Sequence, residues 1–160
     1  MMRLNIIKLN KIDKVTFLTY FKDEIQNNRE YELIKKLVSD CNKGKNTIYI
    51  LEIDNKKTAF IGLSFDRIND YPSLSVEYLF VIKSLRGKKL QKFYNKKISE
   101  ILLAFIIEEI IPKIKEYVSI KYLALYPDMQ NDNLTEYYLS LLPNAFKLKE
   151  NKETWILLKV

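Results

Sequence analysis

The 160-residue chain has no histidine and a single cysteine, so any chemistry must run on carboxylates, tyrosines, lysines, serines or backbone amides. That excludes a Ser-His-Asp or Cys-His nucleophile pair, a histidine zinc site and an imidazole proton shuttle. Cys41 has no histidine to activate it and falls near the end of a helical stretch, so it reads as inert packing. Glu77 is the carboxylate with a setting for chemistry. Among Val76, Tyr78, Leu79, Phe80 and Val81 it is the only charge, in a strand expected to be central. A lone carboxylate there is costly unless it faces a cleft or a partner, and burial raises its pKa towards that of a general base. An ion-paired strand glutamate is the other reading. Arg86, Lys88, Lys89, Lys92, Lys96 and Lys97 form a cationic run with Glu100, Glu108 and Glu109 further on. On a helix starting at residue 88 this order opposes the macrodipole. Either a bound polyanion explains it, or a lysine-rich chain is simply showing a solvated face. Gly87-Lys88-Lys89 ends like a phosphate loop, but Ile82 stands where that motif needs a glycine and no GxGxxG occurs.

The elements that must position these residues follow from periodicity. Residues 3–9 predict an edge strand. Residues 11–21 and 30–42 have helical spacing, with Tyr31, Ile34, Leu37 and Val38 on one face and Gly44 placed for a C-cap. Three β-branched and aromatic runs, 47–53, 58–66 and 74–82, predict an antiparallel meander. Asp54-Asn55-Lys56-Lys57 and Asn69-Asp70-Tyr71-Pro72 supply its turns. From Lys88 a helical period running through Leu90, Tyr94, Ile98, Leu102, Ile106 and Ile110 predicts a long helix towards Tyr117, kinked or restarted at Pro112. Residues 121–126 predict a strand, 134–142 a short helix, and 146–149 with 154–160 a closing strand pair. The strands on either side of the long helix are expected to be parallel, joined by a right-handed crossover. The fold class is therefore mixed α/β, with helices flanking a mostly antiparallel sheet in the order β-α-α-β-β-β-α-β-α-β-β.

No linker, repeat or low-complexity tract divides the chain, and a single domain over residues 1–160 is expected. The longest apolar run, 101–107, is too short to cross a bilayer, and the N-terminus lacks a signal h-region. With one cysteine, a cytoplasmic protein without membrane contact is expected. The net charge of +7 comes mainly from lysine, arginine occurring only at Arg3, Arg29, Arg67 and Arg86. Arginine is the residue that forks onto phosphates and bases, so a general nucleic-acid surface draws little support from this balance.

The run Glu77-Tyr78-Leu79-Phe80-Val81-Ile82-Lys83-Ser84-Leu85-Arg86-Gly87-Lys88-Lys89-Leu90 resembles the acetyl-coenzyme A signature of the GNAT superfamily of N-acetyltransferases. In that signature a strand ending in Leu-x-Val is followed, five positions on, by Arg-Gly-Lys-Gly and a helix. Asn131-Asp132-Asn133-Leu134-Thr135-Glu136-Tyr137-Tyr138 resembles the family's Asn-x-x-Ala-x-x-x-Tyr segment, and Phe146 its later Gly-Phe ending. The chain departs from the family at Lys89 and Gln91, where the pattern has small residues that let backbone approach a pyrophosphate. Leu134 replaces another small residue.

The resemblance implies an acetyltransferase that moves an acetyl group from acetyl-CoA to a primary amine by direct attack in a ternary complex, with no metal. The backbone of Leu79, Phe80 and Val81 would hold the pantetheine arm. Arg86, Gly87, Lys88, Lys89, Leu90 and Gln91 would cradle the pyrophosphate at a helix N-terminus. Asn131 would contact the cofactor near its thiol end, and amides near Val81 would stabilise the oxyanion. Tyr138 would protonate the leaving thiolate and Glu77 would deprotonate the ammonium. For Tyr138, a core aromatic in a tyrosine-rich chain is the competing reading. The acceptor is a small-molecule or peptide amine and the chain a monomer or homodimer. A non-catalytic acyl-CoA-binding module, or an enzyme acting on charged tRNA, are the alternatives.

Overall fold

The computed structural model describes residues 2–128 and 131–160. They form a seven-stranded, mostly antiparallel sheet with flanking helices, and the chain divides into two compact units.

The first unit comprises Met1–Leu63 and Tyr78–Leu103. In it β1 (Leu4–Leu9) pairs antiparallel with β2 (Thr47–Ile53), which pairs antiparallel with β3 (Lys56–Ile68); β4 (Tyr71–Val81) lies next in the sheet. Helices α1 (Lys14–Phe21) and α2 (Asn28–Asn42) start at side-chain caps. Asp13 accepts from the Thr16 amide and Asn27 from the Glu30 amide, each satisfying an otherwise orphaned N–H. Their buried residues meet the strands in one core built on Phe17, Phe21, Phe60 and Phe80. Ring centroids lie 5.1 Å apart for Phe17 and Phe60, 5.2 Å for Phe21 and Phe60, and 4.9 Å for the stacked pair Phe60 and Phe80. These are the spacings at which aromatic pairs add to simple area burial. Cys41 is buried in this core, as the packing reading expected. Burial pushes its thiol pKa up.

The second unit comprises Ser64–Glu77 and Ala104–Val160. The sheet continues through β3 and β4 to β7 (Tyr122–Leu125), β9 (Glu153–Lys159) and β8 (Phe146–Glu150). β4 and β7 are parallel and β7, β9 and β8 antiparallel, as the crossover argument expected. Helix α5 (Asp132–Leu141) precedes β8.

The glycine-poor turns use Asp and Asn in place of glycine. Asp54-Asn55, Asn69-Asp70 and Asn151-Lys152 all have positive φ at both positions. This is the geometry of two-residue hairpins whose twist matches that of the flanking strands.

The long helix differs from expectation at its start. It begins at Ile98, with α3 (Ile98–Phe105), a π-helical turn (Ile106–Ile110) and α4 (Ile111–Lys115) in succession. Residues 88–97 form instead a small antiparallel hairpin of β5 (Lys89–Leu90) and β6 (Lys96–Lys97). Gly87, Tyr94 and Asn95 have φ of 71°, 55° and 58°, a left-handed backbone that no α-helix accommodates. The helical spacing of Leu90 and Tyr94 is thus coincidental, and Tyr94 is 92% exposed. The charge inversion disappears as well. Glu100 sits in the helix's first turn and Lys113 and Lys115 in its last, as the macrodipole favours. The break anticipated at Pro112 is taken up by the π-helical turn just before it, since proline cannot donate to the carbonyl four residues back.

Gly62 of β3 faces α2 so closely that a Cβ would lie 2.5 Å from Leu37 Cδ1. Gly62→Ala should therefore destabilise the protein by about 1–3 kcal/mol through overpacking. Adding Leu37→Val should restore part of the loss; thermal melts of both variants check this.

Candidate active site

In the first unit the residues around the end of β4 are organised by Arg86. Its Nε donates to the Val81 carbonyl at 2.8 Å, and Nη1 donates to Gln26 Oε1 and Glu30 Oε2, both at 2.9 Å. Nη2 donates to Glu30 Oε1 at 2.6 Å, completing a bidentate pair, and the guanidinium stands 5.1 Å from the Phe80 ring centroid. The Ser84 amide donates to Glu24 Oε2 at 3.3 Å. This turn is tied back onto α2 and the segment before it by charge-assisted bonds, which are shorter and stronger than neutral ones. Arg86 opens the segment expected to cradle a pyrophosphate, and its guanidinium is engaged in shaping that loop. Its partners Glu30 and Gln26 were not foreseen from the sequence. Glu30 did carry a signal, because Asn27-x-x-Glu30 has the capping-box pattern, but that pattern does not reveal where the carboxylate goes.

The other loop residues are laid out differently from a helix N-terminus. Gly87 has φ 71°, and a Cβ placed on it would meet nothing within 4 Å, so its backbone face is open. Lys88 and Lys89 are exposed, Leu90 is half-buried and Gln91 is exposed. The Lys88 amide donates to the Leu85 carbonyl at 3.2 Å. The helix-dipole contribution expected for residues 86–91 is absent, since no α-helix begins among them and the single 3-10 turn at Gln91–Phe93 is too short to supply it. What fits a pyrophosphate is the open glycine backbone with Lys88 and Lys89 beside it. Leu79 and Val81 are half-buried and Phe80 is fully buried in the aromatic core, so the Phe80 side chain is committed to packing and the Val81 carbonyl to Arg86.

In the second unit the β4–β7 register runs from Ser73↔Tyr122 to Val76↔Leu125. β7 ends there, and the second unit's part of β4 runs one residue further. Glu77 stands at this point. Its side chain is exposed, which corrects the expectation of a buried strand carboxylate: the buried run Ser73–Val76 is the part flanked by β7, and Glu77 lies just past it.

Asn131 caps α5, its Oδ1 accepting from the Leu134 amide at 3.0 Å. Tyr138 lies two turns along that helix, half-buried, with the Tyr137 ring centroid 5.9 Å away. Desolvation, with Tyr137 and Asp128 adding to it, pushes its pKa up to about 12. The phenol is thus fully protonated at neutral pH. Asp128 carries no motif that would have singled it out from the sequence.

No protein-family model matches the sequence, and no curated protein matches it either. Solved structures match over nearly the whole chain. AtaTR bound with AcCoA is 17% identical, with a TM-score of 0.71 over 98% of this chain and 92% of that one. AtaT complexed with acetyl-methionyl-tRNAfMet is 17% identical, with a TM-score of 0.66 over 98% of this chain and 95% of that one. The N-acetyltransferase PseH of Campylobacter jejuni, in complex with acetyl coenzyme A, is 15% identical, with a TM-score of 0.60 over 98% and 99%. The likeness is one of fold.

Loss of the bidentate pair should be measurable: Glu30→Gln should lower the unfolding free energy by about 1–3 kcal/mol, read as an earlier denaturant midpoint with an unchanged slope. For Tyr138 the folded pKa lies above the ordinary value of about 10, so its contribution to stability is complete below pH 10. That contribution is lost as pH rises towards about 12. Between those limits the wild type should lose stability faster than Tyr138→Phe, as followed by denaturation across the alkaline range.

Proposed function

We propose that this chain, built on the fold of acetyl-coenzyme A-dependent N-acetyltransferases, transfers an acetyl group from acetyl-CoA to a primary amine. The observation that carries the reading is the end of β4 in the first unit, where Leu79, Phe80 and Val81 run into the turn that Arg86 ties back to the Val81 carbonyl. An extended pantetheine amide chain is the kind of ligand a strand takes, by main-chain hydrogen bonds. The open backbone at Gly87, with Lys88, Lys89, Leu90 and Gln91, would receive the pyrophosphate. Arg86 acts there as a positioning residue through Glu30. Asn131 would reach the cofactor through its Nδ2 donors, its Oδ1 being engaged by the helix cap.

The reaction forms an N–C bond and breaks the C–S bond of the thioester. The ammonium first loses a proton, and Glu77, being exposed, would accept it through solvent as readily as by direct contact. The free amine attacks the carbonyl carbon, and backbone amides near Val81 would stabilise the oxyanion. Collapse expels the coenzyme A thiolate. Tyr138, protonated at all ordinary pH values, would meet that charge. Full transfer from a phenol of pKa about 12 to a thiol of pKa about 8.5 is uphill by roughly 5 kcal/mol in isolation. Its main contribution would therefore be a hydrogen bond to sulfur as the C–S bond breaks, with proton delivery completing the step. No metal takes part in this scheme.

A second reading concerns the acceptor. AtaT, in the complex with acetyl-methionyl-tRNAfMet, points to the α-amine of a charged tRNA as the amine acetylated.

The test is thiol release from acetyl-CoA against polyamines, amino acids, aminoglycosides, peptides and charged tRNA. A thermal-shift titration accompanies it, in which acetyl-CoA at about 100 times its Kd adds about 2.7 kcal/mol. No shift with acetyl-, propionyl- or longer acyl-CoA would sink the reading. Tyr138→Phe should lower kcat by about a hundredfold or more while leaving the acetyl-CoA shift in place; an unchanged kcat removes Tyr138 from the mechanism.

A further inference from the structure

The hairpin of β5 and β6 carries more than acyl transfer uses. Tyr94, in its connecting loop, is 92% exposed, the most exposed large apolar side chain among the described residues. Tyr94 and Asn95 also hold consecutive left-handed conformations, with φ of 55° and 58°. A bulky side chain in that region is strained, and such strain persists where the surroundings fix it and clusters at functional sites. No burial of the ring offsets it. Lys89, Lys92 and Lys96 of the hairpin, with Lys83 and Lys88 in the turn that leads into it, are all solvent-accessible, and residues 83–97 contain no acid. Glu100, 3.5 Å from Lys96, is the first acid beyond the hairpin.

We propose that this hairpin is a contact surface for single-stranded nucleic acid, with the Tyr94 ring stacking on a base and the hairpin's exposed lysines holding phosphates. An exposed aromatic face set among cations is the combination such surfaces use, and it tolerates sequence because every base has a π-face. An acidic peptide would satisfy the lysines but leave the strained ring without a role. A lipid surface asks for a broader apolar face than one ring. Lysine in place of arginine fits phosphate contact without base readout, so the composition that disfavours base-specific recognition agrees with a sequence-tolerant contact. This surface shares Lys88 and Lys89 with the proposed pyrophosphate cradle, while Tyr94, Lys92 and Lys96 lie outside it, so binding is tested through those residues.

The experiment is fluorescence polarisation of the full chain with a labelled single-stranded RNA of about 12 nucleotides and mixed sequence, in the absence of acetyl-CoA. Wild type should bind with an affinity that falls steeply with salt, and Lys92→Ala should flatten the log–log slope by about 0.7. Tyr94→Ala should weaken binding by about five- to a hundredfold, and Tyr94→Phe should keep it. Tyr94→Gly should raise Tm by relieving the left-handed strain while binding is lost, a pairing that a merely structural role would not give. The proposal is overturned if Tyr94→Ala and Tyr94→Gly bind like wild type, or if an acidic peptide of matched charge binds as tightly as the RNA. Thiol release to a small amine, measured on the same variants, keeps the two readings apart. RNA binding lost with thiol release retained supports the hairpin surface, and loss of both together assigns Tyr94 to the acetyl-CoA loop and overturns it.

Discussion

The stacked and edge-on rings of Phe17, Phe21, Phe60 and Phe80 are the contact on which the first unit depends. They join α1 to β3 and β4. Phe80 is the link to chemistry. Its ring is fully buried and the Arg86 guanidinium stands over it, so the strand carrying the candidate cofactor edge is fixed by the same side chain that anchors the loop after it. Alternation along β4 sends Phe80 inward. Gly62 belongs to the same arrangement, because the Leu37 side chain of α2 occupies the space a Cβ there would fill.

From that anchor the loop acquires its shape. The bidentate Arg86–Glu30 pair, with the bond from Arg86 to the Val81 carbonyl, closes the turn after β4 against α2. Beyond Arg86 the chain makes a left-handed step at Gly87 and then a short hairpin, so the lysines are spread over turn and hairpin instead of crowding a helix N-terminus. The electrostatic conflict implied by a helix starting at residue 88 never arises. The helix that does form carries its charges in the order its dipole prefers.

Much of the architecture is legible in the sequence because its signals are local. The strand Thr47–Ile53 has the same bounds in both, since β-branched residues between turn residues leave few alternatives. The Asp-Asn and Asn-Asp turns are legible for a related reason, those side chains tolerating positive φ where this chain has almost no glycine. Parallel pairing of β4 with β7 follows from the helical crossover between them. The start of the long helix is not legible, because Leu90 and Tyr94 happen to fall on the helical stripe and a left-handed step at Tyr94 has no single-residue signature. Glu77 is misplaced for a different reason. Its neighbours in sequence are apolar, but its exposure depends on β7 ending after four residues.

The sequence by itself determined the chemical inventory and the order of elements. Without histidine, proton transfer falls to carboxylate and phenol, and periodicities of two and 3.6 residues set the strands of the seven-stranded sheet and the helices, the start of the long helix excepted. Only the tertiary structure decided what each group is free to do. It committed Arg86 to Glu30, left Glu77 exposed to solvent and raised the Tyr138 pKa by desolvation. These outcomes depend on which groups meet across long sequence separations and on how much water they keep, and neither quantity is written in local spacing.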